Sequence, residues 1–507
     1  MPFLSRLRQR GITGAAIGSV AHALVWTGGA KWLSQLASWF SMIVVARLLT
    51  PDDFGLVGMA QILLGLAAIL TEFGLGTAII AHPHLTDEHV DQLNAVAVLV
   101  GTGTVILTCA AARPLGQFFM APNLPMVVMA ASSMFASTAL RTVPSALLQK
   151  ELKFRYLAIV ESVQAAVAAA AMLGLAVLGF HYWALVISPV LGSFVATGLT
   201  VLGRPCSFAR PRLCTLSSIL TESRRLLLGR SAWWFQNNVD SIIIARVLGE
   251  GALGVYTLAS SVASLPLDKI TALVNQVSAP FLAATRSDRR AMRHLLLVLS
   301  GVLSVVVFPV AAGLAIVAES FVLAALGAKW TAVVFPLRIL SVLAALRCIV
   351  AALAPVVVVT GGTRLSMYVS LVEALLMSAV LYVASGFGVP GVALAWLLTY
   401  PFLRMPFYWW AFRELELTPA QYLNALWPAL RATAVMAVAV IVIEPIYPPG
   451  LSALMHLILQ VAIGAVTYAI ASLAQRRRLL DMYREFRTLG RAPTSTHGQL
   501  DVLGLPL

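Results

Sequence analysis

The sequence predicts an all-α polytopic membrane protein of about fourteen transmembrane helices: two parallel six-helix repeats followed by a C-terminal helix pair. Three observations predict it. Of 507 residues, 60% are hydrophobic and only 11% are charged, less than half the share of about 25% in a soluble domain. Apolar runs of roughly 20 residues, enough to cross a bilayer as a helix, recur from one end of the chain to the other. The chain also repeats itself. So few charges cannot coat a soluble globule, which excludes a soluble enzyme, a disordered chain and a fibrous one.

In order along the chain, a basic N-terminal interfacial segment (1–21) leads into spans near 22–48, 54–80, 92–112, 124–147, 156–178 and 182–202, the first half (22–202). A basic cytoplasmic linker (203–225) follows. The second half (226–410) has spans near 226–247, 252–281, 294–316, 331–360, 365–386 and 388–410. A second linker (411–425), an extra pair within 426–473 (near 426–446 and 451–473) and a basic cytoplasmic tail (474–507) complete the chain. Twelve spans remain the alternative if the last pair lies in the interface. Arg6, Arg8 and Arg10 precede a first helix too long for a cleavable signal peptide.

The net charge of +14 does not sit in a compact basic domain. It falls in short clusters between apolar runs, and no nucleic-acid recognition motif accompanies it. With the N-terminus inside, cytoplasmic segments hold 23 Lys and Arg, whereas the outer loops hold two, Arg113 and Lys329. That asymmetry puts both termini in the cytoplasm. One loop departs from it: residues 81–91 carry Asp87, Glu88 and Asp91 without a Lys or Arg. Four cysteines (109, 206, 214 and 348) form no disulfide framework and no zinc-ligand spacing.

The repeat is visible in residues. VARLL at 45–49 recurs as IARVL at 244–248, and the same offset of 199 carries Gly55 onto Gly254 and Lys31 onto Arg230. Gly179, Ala184 and Leu185 recur as Gly388, Ala393 and Leu394 at an offset of 209. Six helices is an even number, so both halves enter the membrane the same way. Parallel repeats of this kind are related by an axis along the membrane normal and commonly enclose a midplane site.

Charges inside spans cost roughly 2.5–3.5 kcal/mol each on insertion scales, so they face a cavity or a partner. In the first span Lys31, Ser34, Ser38 and Ser41 lie within about 80° of one another on a helical wheel. The equivalent stripe in the seventh span is Arg230, Trp233, Asn237 and Asp240. The two faces point to a hydrophilic cavity between the halves. Arg47 and Arg246 lie about 160° round from that face and are read as ending their helices at the outer interface, complementing the helix dipole. Glu72, Asp240 and Asp268 are candidate proton-coupling carboxylates, because burial raises a carboxyl pKa; a structural ion pair is the competing reading. Asp268 and Lys269 follow Pro266, whose ring frees a backbone carbonyl. Glu161 and Glu373 occupy equivalent spans and are expected to pair with Arg. Arg141 is close enough to the inner end of its helix to snorkel. Arg431 and Glu444, in the extra pair, are assigned to packing or the interface.

No GxxxxGK[ST] loop, HExxH, CxxC or GxSxG occurs, and His82, His84 and His89 share a loop where solvation is the simpler reading. The expectation is a carrier without enzymatic activity, metal or cofactor.

The strings PSALLQKELKFRYLA at 144–158 and VARLLTPDDFG at 45–55 resemble the polysaccharide transporter (Wzx-type) flippases of the multidrug/oligosaccharidyl-lipid/polysaccharide (MOP) superfamily, which includes the MATE transporters. The resemblance runs through the first 410 residues and is strongest in the first half. It implies a MATE-like fold and an undecaprenyl-diphosphate-linked oligosaccharide moved between leaflets of the bacterial inner membrane. The implied setting is exopolysaccharide or lipopolysaccharide biosynthesis, beside a polymerase and export machinery. On that reading Lys31, Arg230, Lys269, Arg347 and Arg404 meet the diphosphate and acidic sugars. Ser34, Ser38, Ser41, Asn237, Asn238, Asn275 and Gln276 meet hydroxyls, and Trp233 and Trp234 stack on sugar rings. The polyprenyl tail stays in lipid, leaving through a gap between halves that rock about the site. The alternative is a cation-coupled multidrug antiporter, which calls for twelve spans and a carboxylate-dominated cavity. The tail RRRLLDMYREFR at 476–487 can form a basic amphipathic helix on the inner leaflet.

Overall fold

The computed structural model describes residues 41–72, 75–76, 79, 86–210, 217–264, 288–448 and 450–475, without the side chains at 217–226, 228–229, 232–233 and 363. The described residues are 89% helical and form fourteen helices. We number them α1 (41–48), α2 (Pro51–Glu72), α3 (Asp87–Phe119), α4 (Leu124–Lys150), α5 (Phe154–Val177), α6 (Trp183–Gly203), α7 (Ser217–Val247) and α8 (249–264). After these come α9 (Arg289–Phe321), α10 (Val334–Val359), α11 (Thr363–Ser385), α12 (Gly388–Glu414), α13 (Pro419–Ile443) and α14 (Ala453–Leu473). A π turn, Val322–Leu326, and a 3-10 turn, Ala328–Val333, join α9 to α10. Among the described residues, ten helical stretches are long and apolar enough to cross a membrane.

The internal repeat is a repeat of packing. In the first half α3 packs on α4, α4 on α6 and α5 on α6; in the second α9 packs on α10, α10 on α12 and α11 on α12. α13 lies against α9, and α14 against α13 and α9. Tyr422 of α13 donates to Ser300 Oγ (3.2 Å), and the Tyr468 hydroxyl of α14 to the Val305 carbonyl (2.6 Å). Among the described spans α5 and α14 are the least covered by the rest of the chain, with only 11% of the apolar stretch of each buried.

Several helices begin before their apolar runs, because a polar residue caps them. Thr86 caps α3 through its side chain, which accepts from His89 N, and Asp87 and Glu88 occupy the first turn. The acidic 81–91 loop is thereby explained: carboxylates at a helix N-terminus complement the macrodipole. His89 Nδ1 is 2.6 Å from Thr86 Oγ1. Asp288 caps α9, and Thr418 forms a capping box with Gln421 that starts α13 seven residues ahead of the span the apolar run defines. The QKELKF part of the 144–158 string is the α4–α5 turn, with Leu152 at φ 57°. There Glu151 reaches Lys153 (2.7 Å) and Arg204 at the end of α6 (2.9 Å). Lys153 first, and then Arg204, hold its carboxyl below the usual range.

The halves meet along α2. Gly58, Gly65 and Glu72 recur every seven residues, so they share one face. Gly58 faces Leu253 and Thr257 of α8, Gly65 faces the Trp234 indole of α7, and Glu72 meets Arg230 of α7. At the N-terminal end of this seam the contact is reciprocal. A Cβ on Gly55 would lie 1.8 Å from the Glu250 carbonyl oxygen, and one on Gly254 would lie 1.9 Å from that of Pro51. Gly55 and Gly254 are the pair related by the offset of 199, so the repeat axis passes through this crossing. Only glycine permits backbones this close.

Candidate functional site

Beyond the ends of the seam two kinds of surface open. The first is a polar cavity of about 340 Å³, walled by α2, α4, α5 and α6 of the first half and by Arg230 of the second. α4 supplies Thr138, Thr142, Ser145 and Gln149, spaced so that they line one helical face. Arg141, on the same helix, donates to Gln164 Oε1 of α5 (3.0 Å). It thus serves the cavity wall instead of reaching back to the interface. Glu161 and Thr200 also line the cavity. Arg230 Nη1 lies 2.7 Å from Glu72 Oε2, and both side chains are 50% exposed. Two cations and two carboxylates therefore face one space beside a row of hydroxyls and amides.

The second half holds a buried polar network. Arg404 of α12 pairs with both oxygens of Glu373 on α11 (2.7 and 2.8 Å), and Gln236 Nε2 of α7 donates to the same carboxylate (2.7 Å). The Arg404 guanidinium lies over Tyr400 and Phe407, while Arg347 of α10 stacks over Trp396 (4.7 Å) and Tyr400 (5.7 Å). Tyr256 of α8 donates to Asp240 Oδ2 (2.6 Å), and the other oxygen of Asp240 accepts from Ser241 N (2.7 Å). Desolvated carboxylates need such partners.

The other surface is apolar. A groove of about 640 Å³ runs between α1, α8, α9, α13 and α14, lined by residues such as Met42, Leu258, Leu314 and Met436, with Gln460 and Tyr468 among its few polar side chains. It joins the two halves to the C-terminal pair.

Near the Gly55–Gly254 crossing a set of cross-half bonds ties α1 to the α9–α10 turn. Arg47 donates from Nε to the Ala325 carbonyl (2.7 Å) and from Nη2 to that of Ala324. Lys329 Nζ donates to the Arg47 carbonyl and Trp330 Nε1 to that of Ala46, both at 2.7 Å. Arg246, the repeat partner of Arg47, lies 5.3 Å over Phe118 at the end of α3. Both arginines end their helices as read from sequence, yet each reaches the opposite half.

Of the residues singled out from sequence, Lys31, Ser34, Ser38, Asp268, Lys269, Asn275 and Gln276 lie outside the described residues, as does the Trp233 side chain. Ser41 is buried and Asn237 exposed. Arg230 and Glu72 come together; so do Arg347 and Arg404, through Tyr400. The cavity wall of α4 and α5 was missed, although Thr138, Thr142 and Ser145 at spacings of four and three carry a readable signal.

Two helical repeats, a cross-half polar cavity and an apolar groove, with ten stretches long and apolar enough to cross a bilayer among the described residues, define a multi-pass membrane protein. The fold is that of a lipid II flippase MurJ in an inward closed conformation (TM-score 0.73, 14% identity, 90% of this chain and 100% of that one). A MATE family multidrug transporter of the MOP superfamily, inward-facing, shares it at a TM-score of 0.54 (14% identity, 76% of this chain and 95% of that one). Residues 44–335 match the family described as polysaccharide biosynthesis protein, and the chain belongs to that family. It is 28% identical to the lipopolysaccharide biosynthesis protein WzxC of Escherichia coli (strain K12) over 363 residues, 68% of each chain. Against the succinoglycan biosynthesis transport protein ExoT of Rhizobium meliloti (strain 1021), identity is 24% over 457 residues, 87% of this chain and 91% of the relative.

Proposed function

We propose that the chain is a flippase that carries an undecaprenyl-diphosphate-linked oligosaccharide across the bacterial inner membrane by alternating access between its halves, with both termini in the cytoplasm. The observation that carries this reading is the pairing of two surfaces of opposite chemistry. A polar cavity with Arg141 and Arg230 on its wall suits a diphosphate and its sugars, and an apolar groove suits a polyprenyl tail. Arginine guanidinium is the side chain best matched to phosphate oxygens. Thr138, Thr142, Ser145 and Gln164 offer donors and acceptors to sugar hydroxyls. The relatives named above act in polysaccharide biosynthesis or transport, and the MurJ neighbour is a lipid flippase. Nothing in this reading requires a bond to be made or broken, so the protein acts as a carrier and not an enzyme. Polymerase and export components are the partners expected beside it.

The test is genetic. The gene is deleted in its host, and lipid-linked oligosaccharide is assayed by leaflet in spheroplasts. The reading requires complete repeat units to accumulate on the inner leaflet, with rescue by the wild-type gene. A Lys31→Ala/Arg230→Ala double variant should fail to rescue; full rescue would keep the flippase and remove these residues from its site. Unpolymerised single units displayed on the outer leaflet would indicate a polymerase.

A further inference from the structure

Two ion pairs between helices, each at 2.7 Å, differ in one respect. Glu373 and Arg404 are closed off, with side chains 4% and 18% exposed. Glu72 and Arg230 are each half exposed to the cavity they line. The first pair lies within one half; the second joins the two halves. An incoming anion can reach the second pair and not the first.

The seam gives this pair a place in the machine. Along α2, Gly58 and Gly65 let the halves touch through apolar contacts, and Glu72 closes the same face. The N-terminal end of the seam is locked by backbone-to-backbone approach at Gly55 and Gly254, which no ligand can compete for. The Glu72 end is held by a carboxylate on a guanidinium, a contact whose geometry a phosphate oxygen reproduces.

Charge balance points the same way. Arg141 and Arg230 face the cavity with Glu72 and Glu161, so the lining charges balance. At Arg230, unlike Arg141 with its neutral Gln164 partner, a phosphate gains the guanidinium only by displacing a carboxylate from it. A neutral head group gains nothing by doing so, and specificity is a difference of this kind.

We propose that Glu72 is a built-in competitor for the anionic head of the substrate and the latch of the seam: it holds Arg230 in the empty carrier and is displaced when a phosphate oxygen takes its place, untying the halves at that end. The proposal rests on the flippase reading above and names how that site selects and responds to its ligand.

The test uses the full chain in lipid nanodiscs, with undecaprenyl diphosphate as probe and undecaprenol as the neutral control. Removing the competitor without removing the cation should tighten binding. Glu72→Gln should bind the diphosphate about two- to fivefold more tightly than wild type, the range set by a half-exposed ion pair, with undecaprenol unchanged. The gain should vanish when Arg230→Gln is added. In proteoliposomes the same variant should show a lower KM and a lower maximal rate, because the latch no longer resets. Glu72→Asp, which keeps the charge on a shorter arm, should fall between the two. Equal or weaker binding by Glu72→Gln, or failure of this variant to fold, would mark the pair as structural and overturn the proposal. Failure of the wild-type chain to prefer undecaprenyl diphosphate over undecaprenol would instead overturn the flippase reading.

Discussion

Glu373 and Arg404 show what a single residue can and cannot reveal in a sequence. A carboxylate inside a hydrophobic run announces that a partner exists, since an unpaired charge there is prohibitive. It does not announce which one: Arg404 is 31 residues away in the chain and is brought alongside by the α11–α12 hairpin. Arg404, which the family resemblance makes a substrate-facing cation, meets the Glu373 carboxylate at 2.7 and 2.8 Å. Because the pair is buried, breaking it leaves a charge without compensation. Glu373→Ala should destabilise the protein by about 3–5 kcal/mol, whereas replacing both residues by apolar ones of similar size should cost far less. Thermal unfolding in detergent, followed by helical circular dichroism, distinguishes the two; equal losses would mean that the hydrogen bond from Gln236 matters more than the charge. Gln460 presents the opposite case. It is 2% exposed on the wall of the apolar groove, and its Oε1 has no hydrogen-bond partner. An unsatisfied buried acceptor costs about 1–3 kcal/mol, so Gln460→Leu should raise the unfolding temperature in the same assay. A fall would show that the amide is satisfied by a bound molecule in the folded protein.

At the scale of elements, apolar runs located the helices but not their ends. α3 starts at Asp87 and α13 at Pro419, ahead of their hydrophobic stretches, because caps extend a helix without adding hydropathy. The seam was half legible. The offset of 199 paired Gly55 with Gly254, yet only three-dimensional packing shows each glycine against the other helix's backbone carbonyl. Gly55→Ala forces a Cβ to within 1.8 Å of the Glu250 oxygen, so α2 and α8 must separate. The variant is expected to fold and to expose the crossing. A cysteine at Leu253, 0% exposed in the closed arrangement, should then react faster with a membrane-impermeant maleimide than in the parent chain. Unchanged labelling would mean that the helices slide along one another without parting. Gly313, which meets nothing within 4 Å, supplies the control position where alanine should leave labelling alone.

For the molecule as a whole, the internal repeat that becomes duplicated packing is readable in the sequence, because each segment carries its share of the pattern by itself. Cavity and groove are different: they exist only between segments, and their lining residues are unremarkable one at a time. The groove between α1, α8, α9, α13 and α14 is where this distinction can be tested. Lipid tails are as apolar as leucine, so moving a polyprenyl chain from bilayer to groove gains little transfer free energy. If the groove guides the tail, its contribution is alignment, which appears in rate and not in affinity. Gly313 lines it with nothing within 4 Å of an added Cβ, and Gly313→Phe puts a ring into the groove. The expected result is a chain that folds and binds undecaprenyl diphosphate through the polar cavity as before, with KM unchanged and the maximal transport rate reduced in proteoliposomes. Gly313→Ala should transport normally, since a methyl group leaves the groove open. A Gly313→Phe variant that transports at the wild-type rate would mean that the tail travels along another face, and the lipid-facing surface of α5 would be the next to examine.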